Sequence, residues 1–304
     1  MMDIVKRRYL YFAISLVVIL PGIVALIIWG LPLAIDFTGG SLLEVQFTQA
    51  APSSEGVSAL YADLGMGDTR VQTSGEDVLV VRSKFLDNEA RDQLLVGLRG
   101  AFGEITVLRF DSVGPTVGKE VTTRAAGAVA LAAIAIMLYI TYAFRGVSHA
   151  FRYGVSAIIA MLHDVAVVIG VAAIFGRIFG WEVDSLFLTA LLTVIGFSVH
   201  DSIVVFDRIR ENSSKYRRMP YETLVNQSIV QTLARSINTQ LTVMFTLLAL
   251  SIFGGETIRH FVITLLIGVF SGTYSSIFNA APILVVWENQ EWRTWFRRGK
   301  SATA

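Results

Sequence analysis

Two aspartates lie inside stretches of the sequence that are otherwise apolar. Asp164 lies 11 residues past Tyr153, and Asp201 lies 15 residues past Leu186. An ionisable group inside a membrane span costs at least about 2.5 to 3.5 kcal/mol on insertion scales, so each one needs a partner or a function. A buried carboxylate that gains and loses a partner alternates between a charged and a neutral form. That alternation is the chemistry of a proton relay.

The sequence offers Asp201 partners at the start of the next apolar stretch. Arg235 and Thr239 lie one helical turn apart there, on the side toward which Asp201 is displaced. We therefore predict a proton relay of Asp201, Arg235 and Thr239, with Asp164 as a further candidate. Two static alternatives stay open. One is an Asp201–Arg235 clamp that joins two helices, and the other is a packing hydrogen bond from Asp164 to His163 or to a neighbouring hydroxyl.

Several other kinds of chemistry are excluded by the residues present. The chain has no cysteine for a disulfide or thiolate site, and its 4 histidines lack ligand spacing, so we expect no metal and no other cofactor. The GxxxxGK[ST] phosphate loop is absent. An intramembrane aspartyl protease would need Asp164 and Asp201 to share a proton at about 3 Å, and no GxGD-like segment accompanies them. We therefore do not expect an enzyme.

Membrane helices must position these residues. Hydrophobic residues make up 54% of the 304-residue chain and charged residues 16%, and the mean hydropathy is +0.60. Soluble domains carry roughly 45 to 50% apolar and about 25% charged residues. A helix needs about 20 apolar residues to cross a hydrocarbon core of about 30 Å. The sequence predicts six such spans: Tyr9–Gly30, Val121–Phe144, Tyr153–Phe175, Leu186–Phe206, Ser236–Phe253 and Phe261–Trp287.

Lysine and arginine predict how the spans are oriented. The two termini and the second and fourth connections hold 15 of the 25 basic residues, whereas the short opposite connections hold only Arg177 and Arg259. By the positive-inside rule, both termini are cytoplasmic in a multi-pass protein of the lipid bilayer. The formal net charge is +1, and topology alone explains the basic segments, so we expect no nucleic-acid partner.

The long first connection then lies outside and reads as a small folded domain. Its pattern alternates strands and helices in the order βαββαβ, and the helices follow the cap residues Ser53 and Asp87. This order predicts a ferredoxin-like α+β domain between spans one and two. The expected elements are strand Ser41–Phe47, helix Ser53–Leu64, strands Asp68–Thr73 and Asp77–Ser83, helix Asp87–Phe102 and strand Glu104–Asp111.

The expected organisation has four parts. Residues 1–30 form a cytoplasmic N-terminus and the first transmembrane helix, and residues 31–120 form the extracytoplasmic α+β domain. Residues 121–287 form a five-helix transmembrane bundle, and residues 288–304 form a cytoplasmic tail. In the sixth span, Gly268 and Gly272 form a small-xxx-small face that predicts close helix contact, with packing inside the chain as the preferred interpretation.

The end of the fourth span resembles a known family. Residues 196–212, GFSVHDSIVVFDRIREN, look like the signature of the SecF subunits of the bacterial SecDF protein-export complex. These subunits belong to the SecD/SecF family, which is related to the resistance-nodulation-division transporters. Further matching motifs follow the same order along nearly the whole chain: IDFTGG at 35–40, SVGPTVG at 112–118, HD at 163–164 and TLARS at 232–236.

The resemblance implies a function and partners. It implies a subunit of the bacterial plasma (inner) membrane that works beside SecD and near the SecYEG channel, with YajC and SecA-driven preproteins as further partners. Protons would drive the complex as it draws preproteins out of the channel on the outer side. Asp201, Arg235 and Thr239 match the family's proton-relay positions. The alternative is a passive membrane scaffold for the channel, without proton coupling.

Overall fold

The chain folds into ten α-helices, four strands, a 3₁₀-helical turn at Val5–Arg7 and a π-helical turn within the part that the computed structural model describes, residues 3–48, 51–74, 77–147, 149–291 and 293. In chain order the elements are α1 (Arg8–Trp29), α2 (Ile35–Thr38), β1 (Gly40–Phe47), α3 (Ser54–Asp63), β2 (Arg70–Ser74), β3 (Val78–Ser83), α4 (Asn88–Phe102), β4 (Ile105–Val113), α5 (Pro115–Ala143), α6 (Ala150–Phe179), α7 (Ser185–Lys215), α8 (Tyr221–Phe253), α9 (Glu256–Ser275), the π-helical turn (Ser276–Ala280) and α10 (Ala281–Glu288).

Six helical segments among the described residues are long and apolar enough to cross a membrane. They are α1, α5, α6, α7, α8 and a last segment in which α9, the π-helical turn and α10 follow one another. The expected α-helical multi-span class with six spans is therefore confirmed, and the protein is a multi-pass membrane protein.

Two of these helices extend well beyond their apolar stretches. The sequence places the start of the fifth span at Ser236, but α8 begins 15 residues earlier, at Tyr221. The extension is amphipathic, and its buried side includes Leu224, Val225 and Ile229, so packing keeps it helical where hydropathy gives no signal. α7 likewise continues to Lys215, past the expected end at Phe206.

Contacts divide the chain into two compact units, Met1–Pro32 with Ala128–Ala304, and Leu33–Gly127. In the second unit, the four strands form one antiparallel sheet in the order β2-β3-β1-β4. Together with α3 and α4 this is the ferredoxin-like arrangement that the sequence predicts. Ser53 and Asp87 cap the two helices, since their side chains accept from the N–H groups of Gly56 and Ala90 at 3.2 and 2.9 Å.

The first unit is a bundle in which α7 packs against α6, α8 and α9, and α1 packs along α6. Glycines allow two of these contacts. A Cβ on Gly22 would lie 2.7 Å from the Cα of Gly170, so α1 and α6 meet backbone to backbone. A Cβ on Gly268 would lie 2.1 Å from a methyl group of Val194 on α7. The small-xxx-small face is therefore used for packing inside the chain, as the sequence predicts.

Ion pairs hold the N-terminal end of α1 against the beginning of α8 and the end of the last span. Arg8 donates to Glu222 at 2.9 Å and to Glu291 at 2.6 Å. Burial alone would raise the pKa of Glu291, but hydrogen bonds from Arg8, Tyr9 and Asn289 outweigh it and leave the pKa below its ordinary value. Three helix ends are thus tied together at one end of the bundle.

Candidate functional site

Asp164, on α6, is fully buried and is surrounded by hydrogen-bond donors. Ser198 on α7 and Ser275 on α9 both donate to its Oδ2 atom at 2.6 Å. Ser271 on α9 donates to Oδ1 at 2.7 Å, and the Nδ1 atom of His163 lies 2.9 Å from the same oxygen. A carboxylate offers about four lone-pair sites. Four neighbours therefore saturate Asp164, and they join three helices through one side chain.

Local sequence explains how this cluster forms. Ser271 and Ser275 are four residues apart, so both lie on the same face of α9. Gly272 lies between them, and a Cβ there would lie only 3.3 Å from the Cα of Ser198 and 3.7 Å from the Oδ2 atom of Asp164. The absence of a side chain at Gly272 lets α9 come close enough for the serines to reach the carboxylate.

Asp201, on α7, is also buried, with 4% of its surface exposed, but it has a poorer environment. Ser276 donates to its Oδ2 atom at 2.6 Å. Within the described residues, no other side chain forms a hydrogen bond or an ion pair with Asp201. A single donor leaves most of the acceptor capacity of an ionised carboxylate unused. The charged form of Asp201 is therefore much less well supported than that of Asp164.

The last span connects the two carboxylates through neighbouring residues. Ser275 donates to Asp164, and Ser276, the next residue, donates to Asp201. Ser276 is the first residue of the π-helical turn, and such turns are rare and occur frequently at functional sites. In the same turn, the Nδ2 atom of Asn279 donates to Ser15 of α1 at 2.8 Å. The turn therefore contacts α1 and α7 at the point where the helix changes its register.

Arg235 and Thr239 occupy a different surface from the one that the sequence predicts. Both are exposed on α8, and the Thr239 hydroxyl donates to the backbone carbonyl of Arg235 at 2.9 Å. Among the described residues, no ion pair joins Arg235 to Asp201, so the clamp that the sequence leaves open as an alternative is not formed between these two side chains in this structure. The reason is helical phase, since Ser236 and Gln240 are the residues that α8 turns toward the bundle.

The buried side of α8 carries two polar groups that sequence reasoning missed. The Oγ atom of Ser236 and the Oε1 atom of Gln240 are buried, and neither has a hydrogen-bond partner in the described structure. The hydrogen bonds of Asp164 with His163 and with neighbouring hydroxyls are those of the second static alternative. The particular serines around Asp164 and Asp201 were not identified, because a lone serine in an apolar span carries little signal. One sequence feature did point to these donors: Ser271 and Ser275 are four residues apart, beside the glycines Gly268 and Gly272.

Two other kinds of site find no support in this part of the chain. The two carboxylates are bonded to separate serines, and no hydrogen bond joins Asp164 to Asp201 among the described residues. They therefore do not form the proton-sharing pair of an aspartyl protease. Within the same residues, no group of three or more histidine, cysteine, aspartate or glutamate side chains is placed to hold a metal ion.

Fold and site together define a six-span membrane protein that buries two unequal carboxylates inside its helical bundle. Residues 95–290 match the family described as protein export membrane protein SecD/SecF, C-terminal, and residues 24–51 match the SecD/SecF GG motif. The protein translocase subunit SecF of Anaerolinea thermophila is 60% identical over 100% of both chains. That of Thermobaculum terrenum is 50% identical over 100% of this chain and 99% of its own.

Solved structures agree with the sequence relatives. SecDF from Thermus thermophilus, described as a translocon-associated membrane protein, is 32% identical with a TM-score of 0.82 and covers 95% of this chain. The chain spans only 39% of that SecDF chain, and 38% of the SecDF of Bacillus subtilis, to which it is 35% identical. The chain therefore belongs to the SecD/SecF family of protein export membrane proteins, on the SecF side of that family.

Proposed function

We propose that the chain is the SecF-like subunit of a protein-export complex that uses the proton gradient to assist preprotein translocation through the Sec channel. Asp201 is the group that takes up and releases the proton. The observation that carries the proposal is the contrast within the bundle. Asp201 is buried with one hydrogen-bond donor, whereas Asp164 is buried with four polar neighbours. A carboxylate whose charged form is poorly satisfied binds a proton readily.

The exposed side of α8 carries Arg235 and Thr239, the other two residues of the proposed relay, and we infer that a partner subunit contacts this side. Arg235, Asn238, Thr239 and Thr242 are all exposed and lie on one stripe of α8, at the start of its apolar stretch. Polar and charged side chains inside a membrane face a bundle interior or a partner rather than lipid. SecD is the partner we propose to cover this stripe. In that assembly Arg235 and Thr239 complete a proton path that this chain does not contain alone.

The charge distribution gives the proposed placement. Both termini lie in the cytoplasm, because 15 of the 25 basic residues fall at the termini and in the second and fourth connections. The α+β unit, Leu33–Gly127, then lies outside the bacterial inner membrane. There it would meet preproteins that SecA drives through SecYEG, with YajC as a further neighbour. The role of Asp164 in this proposal is to hold α6, α7 and α9 together around Asp201.

One observation favours the alternative, a passive scaffold for the channel. Asp201 does have a hydrogen-bond donor, and a hydrogen bond between α7 and the last span can serve as a static contact between helices. A scaffold requires only that contact. The proton-coupled proposal requires in addition that Asp201 ionises.

An Asp201→Asn variant distinguishes the proton-coupled function from the passive scaffold. Asp201→Asn keeps the shape and an oxygen that can accept from Ser276, but it cannot ionise. Preprotein translocation should be measured in membrane vesicles with and without a proton gradient, using complexes that contain the partner subunit. We expect Asp201→Asn to assemble normally and to lose the stimulation that the gradient gives to the wild type.

The matched control is Asp207→Asn, on the same helix. Asp207 is exposed and forms a surface ion pair with Arg210 at 2.6 Å, a kind of contact that contributes little. Gradient stimulation should survive in this variant. If the proton gradient still stimulates translocation fully in Asp201→Asn complexes, Asp201 has no proton-carrying role, and the passive scaffold is the function that remains.

A further inference from the structure

A cavity of about 460 Å³ lies at the end of the bundle where four helices begin or end. Arg152 and Tyr153 come from the beginning of α6, and Tyr221 is the first residue of α8. Arg210 and Arg217 lie in and just after the last turns of α7, and Glu288 is the last residue of α10. The lining therefore combines residues from four different parts of the sequence.

The lining is positively charged. It contains three arginines and one glutamate, so its formal charge is +2 with His149 neutral. Arg152 is ion-paired with Glu288, and Arg210 is paired with Asp207, but the second pair is more than half exposed and therefore weak. Arg217 forms no ion pair with any described residue. Two guanidinium groups are thus available to a ligand.

The chemistry of the cavity changes from its rim to its floor. Leu284 and Tyr153 are the buried residues of the lining and form its floor, and the hydroxyls of Tyr153 and Tyr221 lie 3.4 Å apart. One hydroxyl donates to the other, so one hydroxyl proton remains for a ligand. His149, at the N-cap of α6, makes no capping hydrogen bond with its side chain. Charged donors and an apolar floor together suit an amphipathic anion.

The position of the cavity decides which anion this is. Arg152 and Glu288 lie next to Tyr153 and Trp287, where two of the predicted apolar stretches begin and end, so this side of the cavity lies where a bilayer has its head groups. The adjoining surface along the α7–α8 connection adds Lys215 and Arg218. Basic pockets between span ends are suited to anionic lipid head groups. We propose that this cavity binds the phosphate head group of an anionic phospholipid, with its glycerol and upper acyl chains against the apolar floor.

The test uses the full chain, purified together with its membrane partner, and native mass spectrometry. Phosphatidylglycerol and phosphatidylcholine with identical acyl chains are added separately, and the lipid-bound fraction is measured against lipid concentration. We expect tighter binding of phosphatidylglycerol, weakened about fivefold for each arginine removed in Arg210→Gln, Arg217→Gln and the double variant. Arg177→Gln is the control, since Arg177 is exposed near the opposite end of α6 and lies outside the cavity.

Three results would overturn the proposal. Equal binding of the two lipids would remove the charge selectivity, and equal weakening by Arg177→Gln would mean that total charge matters rather than this cavity. Inorganic phosphate is the third arm. If it binds with the same dependence on Arg210 and Arg217 while phosphatidylglycerol does not, the site takes a soluble phosphate and not a lipid. Each variant keeps its apolar lining, and the intact mass of the complex shows whether it has assembled.

Discussion

Asp164 and Asp201 are two buried carboxylates in one helical bundle, and they have opposite surroundings. Asp164 receives three serine hydroxyls and lies 2.9 Å from the Nδ1 atom of His163. Asp201 receives one serine hydroxyl. Both follow a histidine in the sequence, and both lie within apolar stretches, so sequence alone makes them look alike.

The difference teaches that a charge in a membrane span has two uses. A carboxylate with all its acceptor sites filled keeps one state and works as a junction between helices. A carboxylate with spare acceptor capacity changes state when a partner approaches or leaves. The last span serves both uses through adjacent residues, Ser275 and Ser276, because it changes register at the π-helical turn.

The largest expected effect is on the junction. Asp164→Ala removes three interhelical hydrogen bonds from serine and leaves the hydroxyls buried, whereas Asp201→Ala removes one. Interhelical hydrogen bonds in membranes average about 0.6 kcal/mol, with a maximum near 1.7. We therefore expect losses in unfolding free energy of about 2 to 4 kcal/mol for Asp164→Ala and about 0.5 to 1 for Asp201→Ala. Thermal unfolding of the purified complex in mild detergent measures both losses. Equal losses would show that Asp164 and Asp201 contribute equally to stability, contrary to the contrast in their surroundings.

A second, smaller effect follows from the close approach of α9 to α7. Gly272→Leu places a side chain against Ser198 and pushes it away from Asp164, which should cost about 1 to 3 kcal/mol as an overpacked contact. Gly196→Leu is the control, because a Cβ at Gly196 on α7 meets open space. It should change stability by less than about 0.5 kcal/mol. Chemical unfolding of the two variants side by side checks this, and a Gly272→Leu variant as stable as the control would show that the junction tolerates separation.

Sequence patterns predicted the elements well and the contacts poorly. The six spans and the βαββαβ order followed from apolar length, strand alternation and the caps at Ser53 and Asp87, all of which are local properties. The start of α8 was missed, because tertiary packing rather than hydropathy keeps Tyr221 to Arg235 helical. The position of Arg235 was missed because helical phase decides which of two neighbours, Arg235 or Ser236, faces the bundle.

The smallest effect on stability, and the sharpest on function, concerns the two adjacent serines. Ser275→Ala leaves Asp164 with its other polar neighbours, while Ser276→Ala removes the one hydroxyl that donates to Asp201 among the described residues. Each should cost about 0.5 to 1 kcal/mol of stability. Gradient-stimulated translocation should fall several-fold in Ser276→Ala and stay near the wild type in Ser275→Ala. The reverse order of activities would assign the titrating role to Asp164.

The measurement that tests a titrating Asp201 most directly is infrared difference spectroscopy of the reconstituted complex with and without a proton gradient. A carboxylic-acid carbonyl band that changes with the gradient reports a carboxyl group that gains or loses a proton. We predict that the band is present in the wild type and in Asp164→Asn, and absent in Asp201→Asn. A band that survives in Asp201→Asn and is lost in Asp164→Asn would contradict the assignment of the proton to Asp201.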